Sequence, residues 1–113
     1  LAHCIAETMA DIATVDLPSP IVGHVGDGNF HVVLLIDPSN TDENKRAHDF
    51  AARLAERAIR MEGTCTGEHG VGLGKRDYLI PEHGNVAIDA MRAIKHALDP
   101  HNILNPGKIL PPE

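Results

Sequence analysis

Leu1, Ile5, Met9 and Ile12 recur at the spacing of one helix face, so the first dozen residues read as an amphipathic helix. Leu17-Pro-Ser-Pro20 breaks it, because proline can neither continue a helix nor join a central strand. Residues 21–25 then read as a strand, and residues 30–36 (Phe-His-Val-Val-Leu-Leu-Ile) as a buried one. Between them lies Gly26-Asp-Gly-Asn29, whose residue types tolerate positive φ and signal a hairpin. A turn centred on Asp27-Gly28 pairs residues whose numbers sum to 55, which sets Val25 against Phe30 and His24 against His31. A four-residue loop over 26–29 keeps that register, whereas a bulge would break it.

Asp37-Pro-Ser-Asn40 ends the second strand, and Thr41 is placed to cap the helix that follows. Ala47, Phe50, Ala51, Leu54, Ala58 and Met61 form the apolar stripe of that helix, and Gly63 suits its exit. Next comes the glycine-rich stretch Gly63-Thr-Cys-Thr-Gly-Glu-His-Gly-Val-Gly-Leu-Gly74, followed by Lys75-Arg-Asp77. The periodicity predicts a last helix over about 85–98, with Ala87, Ala90, Met91, Ile94 and Leu98 inward, stopping before Asp99-Pro100. The proline-rich tail, residues 102–112, is expected to wrap a surface rather than form an element. No internal repeat or low-complexity segment is present. A hairpin among three helices predicts an α+β fold, an antiparallel sheet packed with three main helices. Two strands are thin for independent stability, so further strands are expected from elsewhere in a longer chain or from a partner.

Composition narrows the function classes. With 113 residues there is room for one domain, of a size that buries roughly 65% of its unfolded surface. Ten Lys and Arg against sixteen Asp and Glu give a net charge of -6, which argues against a nucleic-acid partner. Phe30, Phe50 and Tyr78 are the only aromatics, too few for a base-stacking platform. No apolar run has the length of a transmembrane segment and no signal-peptide pattern opens the chain. Cys4 and Cys65 lie far apart and form no CxxC; free thiols are the default, with a disulfide as the alternative. The chain opens in the middle of a helical pattern, so a piece of a longer protein is expected.

The histidines carry the chemistry. Directly opposed residues on one sheet face have Cβ atoms about 5 Å apart, which lets two imidazoles share one ion. The plainer reading of His24 and His31 is a pair of polar faces on a half-exposed hairpin. Gly67-Glu-His-Gly70 favours the metal, since it sets a carboxylate beside an imidazole where glycines allow close approach. Two His and one Glu with an open position is a ligand set of catalytic divalent metals. Adjacent side chains tend to point apart, so a metal-bound Glu68 would leave His69 free as a base. A nearby cation favours the neutral imidazole, the form that accepts a proton. Two look-alikes fail. A phosphate loop ending at Gly74-Lys75 needs glycine where His69 stands and Ser or Thr where Arg76 stands. A dinucleotide fingerprint from Gly26 and Gly28 ends on His31 and opens a strand.

Three blocks now stand in order: Gly23-His-Val-Gly-Asp-Gly-Asn-Phe-His31, the stretch from Gly63 to Arg76, and Leu98-Asp-Pro-His-Asn-Ile-Leu-Asn-Pro-Gly-Lys108. Together, over about residues 19–110, they resemble the C-terminal domain of FAD-linked oxidases. That family includes cytochrome-type D-lactate dehydrogenases, D-2-hydroxyglutarate dehydrogenases and the FAD subunit of glycolate oxidase. The resemblance implies that residues 1–113 are the C-terminal portion of a ferredoxin-like substrate and metal-binding domain, with the FAD-binding domain absent. It implies that His24, His31 and Glu68 bind a divalent metal, zinc or manganese, and that His69 is the general base. The metal would acidify the hydroxyl of a small 2-hydroxy acid, and hydride would pass to FAD. Asn105 would lie near the flavin.

Glycine-Asn-Phe-His followed by Val-Val-Leu-Leu-Ile looks most like the D-lactate dehydrogenase branch. The hydroxyglutarate branch tends to carry a polar residue where Val33 stands, on the face of His31, and an apolar wall there suits a small or apolar-tailed substrate. The upstream arginine expected to clamp the substrate carboxylate is not found. Lys75 and Arg76 could supply charge or be a solvated pair. Without a flavin the chain by itself is expected to be inactive. The resemblance also implies a cytoplasmic or peripherally membrane-associated protein, mitochondrial in a eukaryote, and exposed interdomain surface could drive homodimerisation. The alternative from another class is a free-standing metal-binding or partner-docking module without catalysis. Cys65 as a nucleophile lacks an oxyanion arrangement, and packing explains it better.

Overall fold

Helix α1 (Ala2–Val15) ends where Asp16 turns into the left-handed region (φ 53°), which frees Leu17 to fold back onto it. The computed structural model describes residues 1–112 and divides the chain into two compact units, Leu1–Gly63 and the part from Thr64 onward. The first unit continues with strands β1 (Ile21–Val22) and β2 (His31–Val32) and helix α2 (Thr41–Arg60). The two strands pair antiparallel, and with the three helices they give the expected α+β class.

Val15, Leu17, Ala47 and Phe50 form the core of this unit, with Ile12, Val32, Leu34, Ile36 and Leu54 packed around them. Phe50 is completely buried, a contribution of roughly 1.5–3 kcal/mol relative to an exposed ring. Alternation along the chain after Phe30 sends Val32, Leu34 and Ile36 to this core. His31, Val33 and Leu35 take the opposite face, where Val33 and Leu35 are half exposed. The predicted stripe on α2 holds at Ala47, Phe50 and Leu54, but Ala51 is exposed and Arg57 is buried instead.

A polar seam explains that exchange. Asp11 on α1 accepts from Arg53 Nε and Nη2 and from Arg57 Nη2. Arg57 also donates to the buried hydroxyl of Thr8 at 2.9 Å, and Arg60 reaches Glu7 at 2.6 Å. The partners repeat every three or four residues on both helices, so each pairs with the next along the contact line. The helix cap lies one residue before its expected position. Asn40, not Thr41, is the N-cap; its side-chain oxygen accepts from the backbone N–H groups of Asp42 and Glu43.

The hairpin register also differs from expectation. Ile21 pairs with Val32 and Val22 with His31, so paired numbers sum to 53 rather than 55. Residues 23–30 form the whole connection, and it contains a 3-10 turn (Val25–Asp27) where a two-residue turn was expected. Toward the other end the ladder runs past β1: Val33 donates to the Pro20 carbonyl and Leu35 to that of Pro18, both at 3.0 Å. The helix ends at Val15, ahead of both prolines, and their carbonyls accept ladder bonds, as proline can at a sheet edge.

The second unit opens with the glycine-rich stretch, then a 3-10 turn (Arg76–Tyr78) and helix α3 (Leu79–Leu98). Residues 79–83 add a turn that the periodicity had not assigned to the helix. Gly84 (φ 79°) separates it from the predicted span over 85–98. Pro81 is accommodated there because first-turn N–H groups have no helical acceptor. The predicted inward face of α3 is rotated. Ile88 is fully buried, whereas Ile94 and Leu98 are 61% and 77% exposed. The side chains turned toward the tail are Arg92, which donates to the Pro111 carbonyl, and Lys95, which donates to that of Leu104. The tail does wrap a surface, as expected, and that surface is α3.

Candidate functional site

His24 stands at the head of the connection between β1 and β2. Its carbonyl accepts from Asp27 N–H at 2.8 Å and from Asn29 N–H at 3.3 Å, and Gly28 (φ 76°) closes the turn onto Val25. Gly23 matters more than the sequence reading allowed. A Cβ there would lie 2.5 Å from Phe30 Cα and 2.6 Å from the Asn29 carbonyl oxygen, so only glycine permits the two ends of the loop to touch. The signal for it was the glycine that opens the first sequence block.

The loop thus delivers by a different route the pairing that the expected register had assigned to cross-strand opposition. The rings of His24 and His31 lie edge to face, 6.3 Å between centroids. Two imidazoles bound to one ion, each with a nitrogen about 2 Å from it, have ring centres roughly 5–6 Å apart. His24 is exposed and His31 half buried. Val22, the cross-strand partner of His31, is exposed on the same face as Val33. The first unit therefore presents two imidazoles beside an apolar surface.

Glu68 and His69 belong to the second unit. Gly67 (φ 47°) and Gly70 (φ 75°) bracket them in left-handed conformations, so the pair sits on a protruding turn with both side chains accessible. Their side chains converge rather than point apart: His69 Nε2 is 3.4 Å from Glu68 Oε1. A carboxylate at that range can orient an imidazole.

Cys65 begins the same stretch and is buried. Burial, and then its hydrogen bond with Glu82, pushes its thiol up to about 11, so it is an unreactive thiol at neutral pH, as the packing explanation required. Burial raises the Glu82 carboxyl, but bonds from the Cys65 N–H, the Thr64 hydroxyl and the Cys65 thiol outweigh it and leave Glu82 below the usual range. Both cysteines are free thiols. Arg76, partly exposed, donates to the Gly107 carbonyl at 3.1 Å. Asn105 lies in the exposed tail with φ 46°, and its carbonyl accepts from Lys108 N–H. Its backbone conformation is itself a reason for asparagine there.

The chain belongs to the FAD linked oxidases, C-terminal domain, whose family model matches residues 1–109. It is 54% identical over 110 residues to a Danio rerio protein named probable D-lactate dehydrogenase, mitochondrial, a match covering 97% of this chain and 22% of that protein. It is 42% identical over 112 residues to D-lactate dehydrogenase [cytochrome], mitochondrial, of Arabidopsis thaliana, covering 99% of this chain and 20% of that one. With the glycolate oxidase subunit GlcD of Bacillus subtilis it shares 47% identity over 97 residues, 86% of this chain and 21% of that subunit. The chain therefore spans about a fifth of the length of these relatives. No helix among the described residues is long and apolar enough to cross a membrane.

Proposed function

We propose that this chain is the C-terminal part of the substrate and metal-binding domain of a flavin-dependent dehydrogenase acting on D-lactate or a close 2-hydroxy acid. Its two strands belong to the larger sheet of a ferredoxin-like domain, and FAD is held mainly by a domain outside residues 1–113. The paired imidazoles of His24 and His31 carry this reading, because a hairpin has no structural need for two rings 6.3 Å apart on one side of its connection. The names of the relatives supply the reaction class.

The donor chemistry fits a divalent metal. Two imidazoles and the Glu68 carboxylate leave a coordination position open, as zinc or manganese sites for catalysis require. When bound, the metal supplies a Lewis acid that acidifies the substrate hydroxyl, and the flavin supplies the hydride acceptor. His24 and His31 would hold the metal from one side. His69 takes the hydroxyl proton, and Glu68, 3.4 Å away, orients its ring. Val33, half exposed on the His31 face, offers an apolar wall that suits the short tail of lactate and disfavours a second carboxylate. Asn105 approaches the flavin from the tail. The apolar side chains left exposed on α3, Val86, Ile94 and Leu98, match a chain whose relatives are about five times longer. Residues 1–113 alone, with no hydride acceptor, are inactive in this reading, and the mitochondrial names of relatives favour that compartment in a eukaryote.

The test is elemental analysis of the purified chain after incubation with zinc or manganese, beside His24→Ala. Near-stoichiometric metal in the wild type and little in the variant is the expected result. Equal metal in both, or none in either, sinks the ligand assignment.

A further inference from the structure

We propose that the C-terminal segment 105–110 is a clasp that positions Glu68 and His69, with Arg76 as its fastening residue. The inference rests on the reading of Glu68 and His69 as site residues given above, and all of its contacts lie within the second unit.

The stretch bearing the pair is poor at holding itself. Gly67, Gly70 and Gly72 all have positive φ, and glycine loses more freedom on ordering than any other residue. Within the stretch, Thr66 N–H donates to the Thr64 hydroxyl and Lys75 N–H to the Val71 carbonyl, and further holds come from outside it. On the upstream side, Cys65 N–H donates to the mostly buried Glu82 carboxylate of α3 at 3.1 Å. On the downstream side the tail supplies the hold: Ile109 N–H donates to the Gly72 carbonyl at 2.8 Å, and Arg76 Nη1 donates to the Gly107 carbonyl at 3.1 Å. Cys65 and Gly72 each lie three residues from the nearer member of the Glu68-His69 pair, and Arg76 lies seven residues beyond His69.

The tail is in turn fastened to α3. The Asp99 carboxylate accepts from Ile103 N–H and Leu104 N–H, Lys95 donates to the Leu104 carbonyl, and Arg92 donates to that of Pro111. Ile109 holds φ 68°, a region that disfavours a β-branched side chain. Such a conformation persists where the surroundings over-determine it, and the bond to Gly72 is the contact it makes possible. A tail that served only to cover α3 would need neither the bond to Gly72 nor the one from Arg76.

The experiment compares wild type with Arg76→Ala, Arg76→Lys, Glu68→Gln and a chain ending at Pro106. Two readouts are taken: amide hydrogen exchange at residues 67–72, and Co(II) binding with its visible absorption spectrum. Arg76→Ala and the shortened chain should exchange faster at the Glu68 and His69 amides. They should bind Co(II) about tenfold more weakly with an altered spectrum, the usual size of an effect from residues supporting a ligand. Arg76→Lys should recover part of both. Exchange, affinity and spectrum all unchanged in Arg76→Ala overturn the clasp, whether or not the shortened chain folds. If the wild type takes up no Co(II), or Glu68→Gln binds it equally well, the ligand reading fails, while amide exchange still decides the clasp.

Discussion

Single residues decide where the candidate ligands stand. Gly23 is the clearest case, because a methyl group there meets backbone atoms at 2.5 and 2.6 Å, and backbone cannot rotate away as a side chain can. Gly23→Ala is expected to destabilise the first unit by about 1–3 kcal/mol and to spread the connection that carries His24. Urea unfolding gives the first quantity, and NMR contacts between the His24 and His31 rings give the second. A variant with wild-type stability and intact ring contacts would show that the loop ends can separate freely. The sequence marked both histidines as a pair through the glycines between them. It could not give their geometry, because Gly26-Asp-Gly-Asn29 is equally compatible with a tight turn and with the longer connection over 23–30. Glu68 and His69 were legible from their flanking glycines, though their convergence was not, since two left-handed glycines reverse the divergence normal to neighbours in a chain.

At the scale of elements, apolar periodicity located the helices and failed on which way one of them faces. On α3 the apolar stripe runs through Ala90, Ile94 and Leu98, yet Ile94 and Leu98 are exposed and Ile88 is buried. The tail decided it: carbonyls at Leu104 and Pro111 need donors, and Arg92 and Lys95 stand on the Ile88 side. Long-range partners of that kind leave no trace in local periodicity. The start of α2 shows the opposite, a local device readable in principle. Asn40 and Glu43 form a reciprocal cap, with Asn40 Nδ2 donating to Glu43 Oε1 at 2.9 Å and Glu43 Oε2 accepting from Asp37 N–H. Thr41 was a plausible cap by residue type, but its position is one residue inside the helix. Asn40→Ala should therefore cost about 1 kcal/mol, Asn40→Ser or Asn40→Asp much less, and Thr41→Ala only a few tenths. Thermal melting of the four variants ranks them; a larger loss at Thr41 than at Asn40 would contradict the cap assignment.

For the whole molecule, the α+β class and the order of its elements followed from patterning, while the coupling between elements came from charge pairs that composition reports only as totals. Those pairs make stability depend on pH in a definite direction. Bonds from Arg53, and then from Arg57, outweigh burial and hold the Asp11 carboxyl below its ordinary range, and Glu82 is likewise held low in the second unit. A carboxylate whose folded value lies below its unfolded one stabilises the fold above the unfolded value, about 3.9 for Asp and 4.3 for Glu. That contribution is lost as the pH falls through the folded value. Asp11→Asn removes the effect in the first unit. Near pH 6 it should lower stability by about 1–3 kcal/mol, because Arg53 and the mostly buried Arg57 lose a charged acceptor. Toward about pH 3 the wild type approaches the same condition by protonation, so the gap between the two should narrow. Urea titrations at both pH values measure it directly. A gap of equal size at both would mean that Asp11 acts through its shape and hydrogen bonds rather than its charge, and that the seam between α1 and α2 is not what acid dissolves.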